Sequence, residues 1–124
     1  GAARRALDRT LAYSVAREQF GRPIGSFQAY KHRCASAFVE LKLAQSLAFR
    51  AADEIDTDPA QALAAGLYST SAAVRVCGEA IQLHGGIGFS WEAGLHALLK
   101  RARMDQLLAK GGAATARALL AAAV

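Results

Sequence analysis

The sequence predicts an all-α protein, an up-and-down four-helix bundle with a short C-terminal helical tail. Three observations lead there. The 124-residue chain is 53% apolar, enough for one core in one domain, and much of that fraction is alanine, which favours helix strongly. Only 2 prolines are present, and β-branched residues are few. Apolar positions return at steps of three and four through four stretches joined by short connections.

The first helix is expected from Ala2 to about Phe20, with Leu7, Leu11 and Val15 on one face and Arg4, Arg5, Asp8 and Arg17 elsewhere. Gly21 then falls in the usual position just past a helix end. Arg22-Pro23-Ile24-Gly25-Ser26 reads as a loop, since Pro23 lacks an N–H and disfavours helix at Arg22. A long second helix is expected from Phe27 to Glu54, with Cys34, Phe38, Leu41, Gln45 and Ala48 forming its mostly apolar side. An acidic turn, Asp53 to Thr57, follows.

Asp58-Pro59-Ala60-Gln61 opens the third helix. Asp58 suits the cap, Pro59 the first helical position, and Gln61 the reciprocal place in a capping box. Leu63, Leu67, Thr70, Val74, Cys77 and Ile81 repeat like a heptad seam, which suits near-antiparallel packing. This helix should end near His84. Three glycines interrupt the next stretch, Gly85-Gly86-Ile87-Gly88. A fourth helix is expected from about Trp91 to Leu108, suggested by Leu95, Leu98, Leu99, Ala102 and Leu107, with Trp91 as an anchor. Lys110-Gly111-Gly112 should break it, and the alanine-rich tail beyond has little to pack against and should fray. No internal repeat occurs, and no low-complexity segment beyond that tail.

The net charge of +5 permits an acidic ligand or partner. It does not indicate nucleic acid, because the basic residues are scattered and form no block with interleaved aromatics. Cys34 and Cys77 lack metal-ligand spacing and read as buried, reduced core thiols, consistent with a cytoplasmic protein. His32, His84 and His96 show no metal-ligand spacing either. There is no signal peptide and no apolar run long enough to span a membrane. Gly1-Ala-Ala-Arg-Arg-Ala-Leu7 already reads as helix interior, so the expectation is the C-terminal piece of a longer protein.

Two stretches could carry chemistry. In Arg17-Glu-Gln-Phe-Gly-Arg-Pro-Ile-Gly-Ser-Phe-Gln28, Arg17 can complement the dipole at a helix end or bind phosphate in a bidentate manner. Phe20 and Phe27 can be core anchors or can flank a planar ring. Gln28 can cap its helix or offer an amide to a ligand. In Gln82-Leu83-His84-Gly85-Gly86-Ile87-Gly88, the glycines can form a helix stop and turn or let a ligand come close to backbone. Glu79 and Glu92 lie near that loop and read as ordinary bundle and surface carboxylates.

Together, Tyr13-x-x-x-Arg17-Glu-Gln-Phe20-Gly21-Arg-Pro-Ile-Gly-Ser-Phe27-Gln28 and Gln82-Leu-His-Gly-Gly86-Ile-Gly88, in this order and separation, closely resemble the acyl-CoA dehydrogenase family. The resemblance covers nearly the whole chain and implies the C-terminal four-helix bundle of a flavoenzyme. It further implies that Arg17, Phe20, Phe27, Gln28 and the loop Gln82, Leu83, His84, Gly85 and Gly86 contact the pyrophosphate and adenosine portion of an FAD held mainly by a neighbouring subunit. The family reaction is α,β-dehydrogenation of an acyl-CoA thioester in lipid catabolism. A glutamate takes the α-proton, flavin takes the β-hydride, and an electron-transfer flavoprotein reoxidises the flavin. The implied assembly is a tetramer.

One departure stands out. Many members carry the base in Tyr-Glu-Gly-Thr, and this chain has Lys110-Gly111-Gly112 over Glu-Gly-Thr. A lysine, protonated at neutral pH, is no ready base. The resemblance therefore implies no catalytic residue in this segment and leaves two arrangements. Either a glutamate lies upstream of Gly1, as in isovaleryl-type members, or the chain is the subunit of a mixed α2β2 dehydrogenase that completes its partner's FAD site. The Leu83–Glu92 wording resembles the bacterial group containing such heterotetramers. Acyl-chain specificity depends largely on residues outside this segment.

Overall fold

The computed structural model describes residues 1–54 and 59–122, with side chains excepted at 59, 113 and 115–122. The elements run α1 (Ala2–Ala16), β1 (Glu18–Gln19), β2 (Arg22–Pro23), a 3-10 turn (Ile24–Ser26), α2 (Gln28–Asp53), α3 (Pro59–His84), a second 3-10 turn (Gly85–Phe89) and α4 (Leu95–Ala122). The expected all-α, four-helix bundle is present. Arg33 of α2 pairs with Glu79 of α3, and Glu40 with Arg75, so these helices run antiparallel. Gln106 of α4 reaches Ser71 of α3 at 3.1 Å, while Leu95 shares a cluster with Ile81, so α4 is antiparallel to α3 as well. Helix α3 packs against all three others, and α1 lies alongside it.

Small side chains allow this close packing. One cluster joins Ala6, Val74, Cys77, Ala80, Ile81, Leu95 and Ala102, and a second joins Ala3, Leu7, Ala37, Leu41 and Val76. The inward face of α1 is therefore Ala3, Ala6, Leu7, Thr10 and Ser14, not the expected Leu7–Leu11–Val15 stripe. Leu11 and Val15 face outward. Thr10 and Ser14 are tolerated inside because each hydroxyl donates to a backbone carbonyl of its own helix, Ala6 at 2.9 Å and Leu11 at 2.7 Å, which satisfies the buried polar group. On α2 the same preference for small residues replaces Phe38 by Ala37 and Ala44 as buried positions. In the α3 seam, Val74, Cys77 and Ile81 are buried, whereas Leu63, Leu67 and Thr70 are only partly so.

Three expected boundaries are corrected. First, α1 stops at Ala16 rather than Phe20, and Arg17 is extended, with φ −84 and ψ 122. Phe20 and Gly21 have φ values of 55 and 75, the paired positive φ of a type I′ hairpin turn. Gly21 thus serves a hairpin, not a helix end. Second, α4 begins at Leu95, not Trp91. Gly94 has φ 63, a left-handed conformation that breaks a right-handed helix, so the chain cannot be helical through it. Trp91 is 77% exposed and does not anchor the core; its ring meets His96 edge-on at 4.3 Å. Third, α4 passes through Lys110-Gly111-Gly112 without a break and continues to Ala122. Glycine weakens a helix interior by only about 1 kcal/mol, and alanine and leucine surround this pair.

The long α2 starts and ends where expected, within one residue. Pro59 is the first residue of α3 and His84 the last. Asp58 and the turn after Glu54 lie outside the described residues. Among the described residues, no helix is long and apolar enough to cross a membrane. Burial pushes the Cys77 thiol up to about 11 and raises that of Cys34 as well, so both thiols stay protonated at neutral pH.

Candidate dinucleotide-binding cleft

The hairpin is the first wall of the site. Glu18 pairs with Pro23 and Gln19 with Arg22, and the Ile24 N–H donates to the Arg17 carbonyl at 2.8 Å. Side chains alternate across extended backbone, and directly opposed residues share a face. Arg17, Gln19, Arg22 and Ile24 therefore project to one side. The loop after the hairpin is pinned to α1 at Gly25, where a Cβ would lie 2.9 Å from the Ser14 Oγ.

The second wall is the C-terminal end of α3 and its glycine turn. His84 is buried; its ring stacks on Tyr13 with centroids 4.4 Å apart and planes 18° apart. Its Nδ1 lies 2.8 Å from the Ala80 carbonyl oxygen. A carbonyl only accepts, so Nδ1 carries the proton in the neutral ring and Nε2 does not. This stack ties α1 to α3 directly beneath the glycines. Gly85 has φ 62, which reverses the chain at the end of α3. Gly88 is close-packed: a Cβ there would collide with the Ile81 carbonyl oxygen and stand 3.0 Å from the His84 Cβ. Gly86 differs. Its φ is not positive, and a Cβ would meet nothing within 4 Å. Nothing in the chain's own packing demands glycine there.

Two adjoining clefts lie between the walls. One, of about 340 Å³, is lined by Tyr13, Arg17, Gln19, Tyr30, Gln82, Gly85 and Gly86, among others. The other, of about 430 Å³, is lined by Phe20, Phe27, Ala29, Tyr30 and Arg33, among others. Gln19, Ile24, Tyr30 and Leu83 line both. Among the described residues, no carboxylate lines either cleft. The bundle thus brings together Arg17, Phe20, Phe27, Gln82, Leu83, His84, Gly85 and Gly86, which are far apart in sequence.

Individual residues refine the sequence reading. Arg17 is exposed, and its guanidinium has no hydrogen-bond or ion-pair partner among the described residues. It is the C-cap residue of α1, where its backbone N–H donates to the Tyr13 carbonyl. Phe20 is 92% exposed and therefore not a core anchor; its ring meets Phe27 edge-on at 6.2 Å. Gln28 starts α2 but makes no side-chain cap and lines neither cleft. His84 presents backbone rather than a free ring. Glu79 is held by Arg33, with Nη2 and Oε2 at 3.0 Å, as its reading as a bundle residue implied.

Sequence reasoning did not single out Gln19, Ile24 or Tyr30 as lining residues. The first two sit inside the quoted motif, and their alternation with Arg17 becomes readable once the segment is known to be a hairpin. The Tyr30 hydroxyl is buried without a hydrogen-bond partner among the described residues. Burial pushes it up to about 12, so the phenol is neutral at physiological pH.

Comparison with known proteins agrees with this architecture. The family model for the acyl-CoA dehydrogenase C-terminal domain matches residues 1–124. The chain is 47% identical over 103 residues to acyl-CoA dehydrogenase IpdE2 of Mycolicibacterium smegmatis, covering 82% of this chain and 32% of that protein. Among solved structures, the ChsE4-ChsE5 complex from Mycobacterium tuberculosis aligns with a TM-score of 0.82 at 31% identity, over 96% of this chain and 33% of that one. Butyryl-CoA dehydrogenase from Megasphaera elsdenii aligns with a TM-score of 0.78 at 28% identity, over 92% and 33% respectively. The chain spans about a third of the length of the curated relatives it matches. With the bundle, the hairpin and the glycine turn all in place, the chain belongs to the acyl-CoA dehydrogenase C-terminal domain family.

Proposed function

We propose that this chain is the C-terminal bundle of an FAD-dependent acyl-CoA dehydrogenase. In the full protein it adds flavin contacts to a neighbouring subunit and forms oligomer contacts. The observation that supports this most is the pairing of an unpartnered, exposed Arg17 with Gly86 on the opposite wall of one cleft. A guanidinium matches a pyrophosphate in charge and geometry. A glycine that the fold does not need leaves backbone open to a close-fitting ligand.

The residues present fit the dinucleotide. Arg17 would offset pyrophosphate charge, Phe20 and Phe27 would offer apolar surface to the adenosine, and Gln82 would offer an amide. Leu83 forms the floor shared by both clefts, and the buried His84–Tyr13 stack holds that floor in place. The flavin, when bound, supplies the hydride chemistry of acyl-CoA oxidation and passes electrons to an electron-transfer flavoprotein. This chain's part is to bind and orient. Several apolar side chains on its surface, including Leu11, Val15, Val39, Leu43, Met104, Leu107 and Leu108, support a role in subunit contacts, as a homotetramer or an α2β2 assembly.

The unbroken helix at Lys110 favours a second reading for the catalytic base. With Lys110-Gly111-Gly112 where many members carry Glu-Gly-Thr, the proton-abstracting glutamate would come from elsewhere, either upstream in the same chain or from a different partner subunit. Flavin absorbance of the purified full-length chain, alone and co-expressed with an adjacent dehydrogenase-like gene, separates these. Flavin on the chain alone supports a self-sufficient homo-oligomer. Flavin only with the partner supports the mixed assembly. A colourless protein in both preparations contradicts the proposed function.

A further inference from the structure

The hairpin presents two arginines, Arg17 and Arg22. Arg22 stands directly opposite Gln19 in the two-stranded ladder and shares a face with Arg17. Its guanidinium carbon lies 4.0 Å from the centroid of the Phe27 ring; Arg22 itself lines neither cleft, but Phe27 lines the larger one, which puts Arg22 at the rim. Arg22 is exposed, and its guanidinium has no carboxylate partner among the described residues. A guanidinium held over an aromatic ring face still has N–H donors to offer a ligand. Five other arginines of this chain spend their charge on carboxylates: Arg4, Arg33, Arg50, Arg75 and Arg101.

The turn between the arginines is conformationally costly. Phe20 takes a positive φ of 55, which is uncommon for a bulky residue, and exposes almost its whole ring. This turn sets Gln19 against Arg22 and keeps Arg22 beside Phe27. A helical end at Phe20, as the sequence alone implied, would place Arg17 and Arg22 without this shared face.

We propose that Arg22 is a second cationic arm at the rim of the cleft, pre-positioned over the Phe27 ring, and that it reaches in to bind the anionic diphosphate of the dinucleotide together with Arg17. The inference rests on the functional reading above. It adds a ligand-binding residue and a reason for it to be arginine: lysine keeps the charge but loses the planar guanidinium.

The test uses the FAD-free, assembled full-length protein, titrated with FAD at low and high salt. Arg22→Ala should weaken FAD binding about tenfold, with a shallower salt dependence than wild type. Arg22→Lys should fall between the two. The side chain is exposed, so thermal melting of both variants should match wild type. Affinity of Arg22→Ala within about twofold of wild type, or a loss with unchanged salt dependence, overturns the proposal; the latter would leave Arg22 only ordering Phe27. Arg17→Ala, run in parallel, separates the two levels. A loss with Arg17→Ala but not with Arg22→Ala rejects the second arm alone, whereas no loss with either rejects the cleft as a dinucleotide site.

Discussion

Arg17→Ala in the assembled full-length protein should lower FAD affinity by about 10- to 100-fold while leaving the melting temperature essentially unchanged. The magnitude follows from losing a charge-assisted, bidentate contact to phosphate, worth about 1.5–3 kcal/mol. Unchanged stability follows from the local structure. Arg17 is extended, exposed and outside α1, and its guanidinium has no hydrogen-bond or ion-pair partner among the described residues. Only its backbone holds the hairpin, through the carbonyl that accepts from Ile24, and alanine preserves that bond. Equilibrium titration by flavin fluorescence, with a thermal melt beside it, checks both halves. Unaltered affinity would remove Arg17 from the site.

The second large effect is a contrast between neighbouring glycines. Gly88→Ala should destabilise the folded bundle by about 1–3 kcal/mol, because overpacking against backbone cannot be relieved by a side-chain rotation. The added methyl would meet the Ile81 carbonyl, so the turn must move off the end of α3. Gly86→Ala should change stability by less than about 0.5 kcal/mol, since open space lies in front of it. The same substitution should nevertheless weaken FAD binding about tenfold if the dinucleotide occupies that space. Urea unfolding reads the first effect and FAD titration the second. Equal FAD affinity in Gly86→Ala and wild type would mean that the ligand does not approach this backbone. The pair separates a glycine required by the fold from one required by the ligand, a distinction composition cannot make.

Helix number, order and most boundaries were readable from periodicity, because long amphipathic runs bury one face whatever their partners. The inward faces were less readable. A hydropathy pattern favours Leu11, Val15 and Phe38, yet the close approach of α1 and α2 to α3 selects Ala3, Ala6, Thr10, Ser14 and Ala37. Small residues at an interface are visible only when the partner helix is known. Leu11, Val15 and Phe38 are left exposed as a result; under the proposed function they would meet other subunits or domains.

The segment from Arg17 to Pro23 was the hardest to read. Its helical propensity extends to Phe20, and Gly21 has the look of a helix terminus. Tertiary context overrides this by forming a hairpin whose turn needs positive φ at both Phe20 and Gly21. The motif residues Arg17, Phe20 and Phe27 were nevertheless identifiable, because their spacing matches a family. Arg22 and Tyr30 were not, since their relevance depends on strand alternation and on the shared wall of two clefts. At the other end, a Gly-Gly pair signalled a break in α4, but a good helical context on both sides carried the helix through it.

Under the proposed function, this bundle contributes one side of a dinucleotide site completed by another subunit. The most direct measurement is a structure of the FAD-loaded, full-length assembly. The expected result places the diphosphate oxygens within hydrogen-bond distance of the Arg17 guanidinium and against the Gly86 backbone, with the flavin ring bound mainly by the adjoining subunit. An FAD held wholly within one subunit, with the Arg17–Gly86 cleft covered by protein or open to solvent, would contradict it.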